Sequence, residues 1–162
     1  MSLHGKIHSL PKTAKLLLAC FLITLSFGFY TGLIFVNENT NNTVEGIKTH
    51  YLGNENDENA EIMQFKKAEK EIITTVHNHV LSMSVIFFLL GMILLTTSIH
   101  PTLKKVLIVE PFISILLTFG GIWILWLGVD WFKYVIIVSG ITLSLAFTIS
   151  VFLIFSQLIK GK

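Results

Sequence analysis

Four apolar runs, each close to a bilayer's thickness, constrain this chain more than any other feature. Residues 16–36 carry no charge over about 21 positions, enough at 1.5 Å per residue to cross ~30 Å of hydrocarbon. The second run, 80–99, stops at His100-Pro101, where proline disfavours helix for the residue before it. The third, 106–129, holds one acid, Glu110, followed by Pro111. The fourth, 131–159, is longer than a span requires, so it tilts or projects beyond the bilayer. Composition agrees: 52% of residues are hydrophobic and 14% charged, against about 25% charged in soluble domains. A soluble enzyme, a disordered tail and a secreted disulfide scaffold are excluded, the last because Cys20 has no second cysteine.

Lysine placement sets the expected orientation. Lys6, Lys12, Lys15, Lys104, Lys105, Lys160 and Lys162 fall on one side if the spans alternate, which predicts both termini in the cytoplasm of a bacterial inner membrane. The first run is too long for a signal peptide and no A-x-A-like site follows it, so it reads as an uncleaved anchor. No lysine cluster is dense enough for nucleic acid.

The loop at 37–79 is expected outside. Its first half, 37–59, is rich in Asn, Glu and Gly and reads as loop. From about 60 to 76, Ile62, Phe65, Ile72 and Val76 recur at helical spacing, predicting an amphipathic helix on the membrane surface or continuous with the second span. The other connections are short, so the expected fold is an all-α membrane protein: one integral domain over 1–162, an up-down-up-down four-helix bundle with that helix in its outer loop. Gly28-x-x-x-Gly32, Gly120-Gly121 and Gly140-x-x-x-Ser144-x-x-x-Thr148 are expected packing faces.

Chemistry concentrates on the expected outer side. His50 lies in the loop, His77 and His79 flank Asn78 where the second span begins, and Asp130 ends the third. The loop acids Glu45, Glu55, Asp57 and Glu58 are near in sequence. Imidazole suits transition metals and haem, and carboxylates serve as ligands or as acceptors for a ligating ring. His77 and His79 stand about 200° apart on a regular helix, so only one faces the bundle. A haem held by His77 or His79 then takes His50 as its second ligand. Met83, one turn after His79, is the alternative donor for haem iron or Cu(I). The bland alternative is a polar collar at headgroup depth.

Glu110 is the one acid inside the hydrocarbon, a proton or cation site unless it snorkels to Lys104 or Lys105 near His100. Trp123, Trp126, Trp131 and Tyr134 form an interfacial belt or line a flat quinone pocket. The G-x-x-x-x-G-K-[ST], H-E-x-x-H, C-x-x-C-H and G-x-S-x-G motifs are all absent, so no enzyme class is indicated.

The segments Gly46-Ile47-Lys48-Thr49-His50-Tyr51-Leu52-Gly53-Asn54-Glu55 and Thr74-Thr75-Val76-His77-Asn78-His79 resemble paired motifs of an uncharacterised bacterial family of small four-span membrane proteins. The Lys- and Asn-rich, Arg-free composition is similar to members from the Bacteroidetes group. The resemblance implies that the two segments belong together, with the loop folded over the bundle mouth and His50, beside Tyr51, near His77 and His79.

Three functions follow as expectations. The first is a redox cofactor or metal, b-type haem foremost, at the outer mouth of an electron-transfer or membrane-anchor subunit, with a redox protein or quinone as partner. The second is a cofactor-free accessory subunit in a homo- or hetero-oligomer. The third is a small proton-coupled transporter using Glu110.

Overall fold

A computed structural model of the protein describes residues 5–57, 60 and 62–159. The described residues form helices joined by turns and irregular segments: a short 3-10 helix (Lys6–Ser9), then α1 (Lys12–Thr40), α2 (Val44–Leu52), α3 (Glu69–Leu95), α4 (Pro101–Ile115), α5 (Gly121–Trp126) and α6 (Phe132–Ile159). A single π turn, Leu116–Gly120, joins α4 to α5 in one continuous span. Four helical stretches are long and apolar enough to cross a membrane: Lys12–Thr40, Glu69–Leu95, Pro101–Trp126 and Phe132–Ile159. The chain is an integral membrane protein in contact with the bilayer.

α1 at both ends, and α3 and α4 at their starts, outrun the apolar runs that announce them, while α3 stops at Leu95, four residues before its run ends, and the third span stops at Trp126, three before. Hydropathy marks where hydrocarbon begins, whereas helix formation needs only the absence of breakers, and 37–40 and 69–79 contain none. α4 begins at Pro101, whose missing N–H and fixed φ suit a first helical position, with His100 Nδ1 accepting from Thr102 N at 3.3 Å.

The core is assembled chiefly by α3, α4 and α6. Phe87, Leu90 and Leu94 meet Leu107, Ile115, Leu143, Phe147 and Ile154. α1 flanks this core: only 6% of its apolar window is buried, against 39% for the α4–α5 span. It rests on α6 through Phe29 stacked on Phe147 at 3.8 Å and Tyr30 Oη bonded to Thr148 Oγ1 at 2.9 Å. Of the expected packing glycines, only Gly121 is closely met, by Ile136 of α6, while open space adjoins Gly28, Gly32, Gly120 and Gly140.

One end of the bundle is closed by the chain's start. Ile7 is fully buried, and Ile7 N donates to Thr96 O at 3.1 Å. Lys104 Nζ donates to Leu95 O and Thr97 O, satisfying carbonyls at the end of α3.

The opposite end carries a cap made of α2 and a strap, 62–68. The expected helix over 60–76 is helical only from Glu69. The loop's own helix is instead α2, where a coil was expected, started by Thr43 Oγ1 accepting from Gly46 N at 2.9 Å. Ile72 of α3 and Ile47 of α2 close a second small core with Ile122, Leu125 and Ile136.

Candidate functional site

The cap is built by the residues of the Gly46–Glu55 segment. Gly46 lies so close to Thr40 O that a Cβ would overlap this carbonyl, which lets α2 cross tightly over the end of α1. Gly53 has φ 76°, and an added Cβ would stand 2.6 Å from Lys66 N and 2.7 Å from Gln64 O. Asn54 then clips the strap: its Oδ1 accepts from Gln64 N at 2.6 Å and its Nδ2 donates to Ile62 O at 3.0 Å. Glu55 Oε1 accepts from Lys66 N at 3.1 Å, and Tyr51 O from Lys67 N at 3.1 Å. Trp126 fixes the strap to the bundle, its indole donating to Lys67 O at 2.8 Å with Lys66 Nζ 4.6 Å from its ring centroid. Burial pushes the Tyr51 phenol up to about 12.

An ion cluster clasps α2 to the last span. Lys133, 8% exposed, binds Glu45 at 3.0 Å and Asp130 at 2.9 Å, and Asp130 also binds Lys48 at 3.0 Å. Hydrogen bonds from Lys133 and then Lys48 hold the Asp130 carboxyl below its ordinary 3.8. Asp130, expected as a metal ligand, is thus engaged by two ammonium groups.

The histidines are divided among different surroundings. His50 borders an open cavity of about 480 Å³ with Glu38, Asn39, Gln64, Phe65, Lys66, Lys67 and Glu71. Its ring meets Tyr51 edge to face at 4.8 Å, and its nitrogens make no hydrogen bond among the described residues. Burial, and secondarily the Lys67 charge, lower its pKa from 6.5. The α3 residue in that cavity is Glu71, six positions and roughly 9 Å of helix rise before His77. His79 Nδ1 bonds Thr75 O at 2.9 Å and its ring stacks on Phe119 at 4.7 Å, while His77 and Asn78 are exposed. Met83 turns into an apolar cleft of about 310 Å³ with Phe21, Leu25 and Phe29 of α1. Among the described residues no three His, Cys, Asp or Glu side chains are grouped to hold a metal ion. Glu58, named with the loop acids, lies outside the described residues.

Glu110 has the partners that sequence reasoning missed. It lies nine residues into α4, roughly 14 Å along the axis. Ser114 Oγ, one turn later, donates to Glu110 Oε1, and Ser114 Oγ contacts Thr142 Oγ1 of α6 at 2.9 Å. Thr142 Oγ1 donates to Ser139 O at 3.0 Å, and Ser139 Oγ meets Thr118 Oγ1 of the π turn at 2.7 Å. Glu110 Oε2 is buried with no partner. Among the described residues Glu110 forms no ion pair; Lys104 is turned to the carbonyls ending α3 instead. The signal was present as Glu110, Ser114 and Thr118 at intervals of four, one helical face.

A family model, Aq_1264_TM, described as a transmembrane helical domain, matches residues 41–162. The chain belongs to that family. The Aq_1264_TM match takes in α2 to α6 and leaves out α1, the span least buried against the others. No curated protein and no solved structure matches the chain.

Proposed function

We propose that this protein is a small proton-coupled membrane transporter that uses Glu110 to carry the proton. The observation that carries the reading is the Glu110 carboxyl, deep in a span, with Oε1 on a seam of hydroxyls and Oε2 buried without a partner. An unpartnered carboxylate oxygen in hydrocarbon is costly, and a proton or a small cation relieves that cost. Ser114 Oγ can donate toward an ionised Glu110 or accept from a protonated one, in the second case turning its own hydrogen to Thr142 Oγ1. The π turn at the end of this seam supports the reading, since such turns are frequent at functional sites.

The test is proton flux into proteoliposomes carrying an internal pH dye, under an imposed gradient. Wild-type protein passes protons and Glu110→Gln, which keeps the side chain's shape, abolishes the flux. Flux in the Gln variant equal to wild type overturns the reading.

A redox reading stands second, on the open nitrogens of His50. A b-type haem shared between His50 and His77 or His79 gives the purified protein a Soret band, which His50→Ala removes; haem-reconstituted protein without that band excludes it.

A further inference from the structure

We propose that the cap-end cavity holds a zwitterionic phosphoethanolamine headgroup, supplied by a lipid of the leaflet on that side. The cavity's walls carry both signs of charge on separate elements. His50 of α2 and Lys67 of the strap offer N–H donors, while Glu38 at the end of α1 and Glu71 at the start of α3 offer carboxylates. A phosphate needs the first pair and a primary ammonium the second, so a ligand bearing both leaves neither sign uncompensated. At about 480 Å³ the space suits a small polar group rather than a peptide or a folded partner.

The strap supplies an independent reason to choose a lipid over a soluble molecule. Ile62, Met63 and Phe65 are 74%, 59% and 69% exposed, three large apolar side chains on a polar segment, and Phe65 is itself part of the cavity wall. They precede Lys66, Lys67 and Lys70, the arrangement of a segment that inserts apolar groups among acyl chains and keeps its charges at the headgroups. Depth agrees: Glu38 follows the uncharged 16–36 stretch by two residues, and Trp126, an indole of the kind that settles at interfaces, is bonded to the strap. The cavity thus opens at headgroup level beside an apolar rim suited to the glycerol and upper acyl carbons.

Native mass spectrometry of the full chain in detergent, with equal amounts of phosphatidylethanolamine, phosphatidylcholine and phosphatidylglycerol of the same acyl chains, tests this. Phosphatidylethanolamine is expected to be retained about tenfold more than phosphatidylcholine, whose quaternary ammonium donates no hydrogen bond to Glu38 or Glu71. Glu38→Gln, at an exposed helix end, brings phosphatidylethanolamine down toward the phosphatidylcholine level, and Lys67→Gln weakens both. Glycerophosphoethanolamine, which has the headgroup without the chains, leaves the lipid adducts in place. Equal retention of the three lipids by wild-type protein overturns the proposal, as does displacement by the soluble headgroup. Neither result bears on Glu110.

Discussion

Two glycines and one histidine carry most of the cap's residue-level consequences. Gly46 and Gly53 are fixed by the backbone atoms they face, so a methyl group at either must push main chain and not a pliable side-chain tip. Gly53→Ala adds a left-handed φ of 76° to that overlap and is expected to cost about 2 kcal/mol or more. Reversible unfolding in mixed micelles measures the loss; a cost within a few tenths would show that the strap is held elsewhere. His50 makes the cap pH-sensitive. Because its folded pKa lies below 6.5, the unfolded cap takes up the proton first, so stability is complete above about pH 6.5 and falls as pH drops from there toward the folded value. Asp130 works lower, losing its contribution only as pH falls below 3.8 through its folded pKa. Amide protection in 47–52 should therefore decline between pH 7 and 5 in wild type and much less in His50→Gln. An unchanged decline in that variant would place the sensitivity outside His50. The Gly46–Glu55 segment was visible as a motif, but its partner was not: it grips residues 62–67, and His77 and His79 lie further down α3.

At the scale of elements, apolar length was readable and local detail was not. Each of the four spans follows from a long apolar run matched to a bilayer's thickness. The strap misled because Ile62 and Phe65 fall in helical phase with Ile72, yet Asn54, Glu55 and Tyr51 offer its backbone better partners than a helix would. α2 escaped notice because Gly46 and the neighbouring asparagines weaken helix propensity, which the contact with α1 overrides. The clasp from Lys133 to Glu45 spans 88 residues, a pairing that no local pattern announces. Lys133→Met keeps the side chain's bulk and removes its charge, so α2 should exchange amide protons faster while α3 is unaffected. Equal exchange in α2 before and after would mean that Ile47 and the strap hold it unaided.

For the whole molecule, the contrast is between a tightly assembled α3–α6 body and a first span attached at few points. Fully buried Leu22, the Phe29–Phe147 stack and the Tyr30–Thr148 bond anchor it, and the last is worth about 0.6 kcal/mol by the usual measure of such bonds in membranes. Cys20, the chain's one cysteine, lies exposed on this helix and reports what surrounds it. A fluorophore on Cys20 should be quenched by spin-labelled lipids and hardly by aqueous iodide; protection from the lipid quencher would reveal a protein neighbour on α1. The bundle could be foreseen from the chain's apolar content, whereas the Glu110 seam depends on which helices become neighbours, and Thr142 lies 28 residues from Ser114.

The π turn at Leu116–Gly120 gives the third span a phase as well as a length. One residue removed there would restore ordinary winding with α5 near its present phase, because the wide turn takes up one extra residue, whereas a residue added as ordinary helix would lengthen the span by a negligible 1.5 Å and rotate α5 by about 100°. With that addition Ile122 and Leu125 would swing off the second core and Trp126 off the strap, so the cap would lose its footing through a change made inside the bilayer. The span is therefore tolerant of thickness and intolerant of twist, and its intramembrane half and its polar end are set by a single angle.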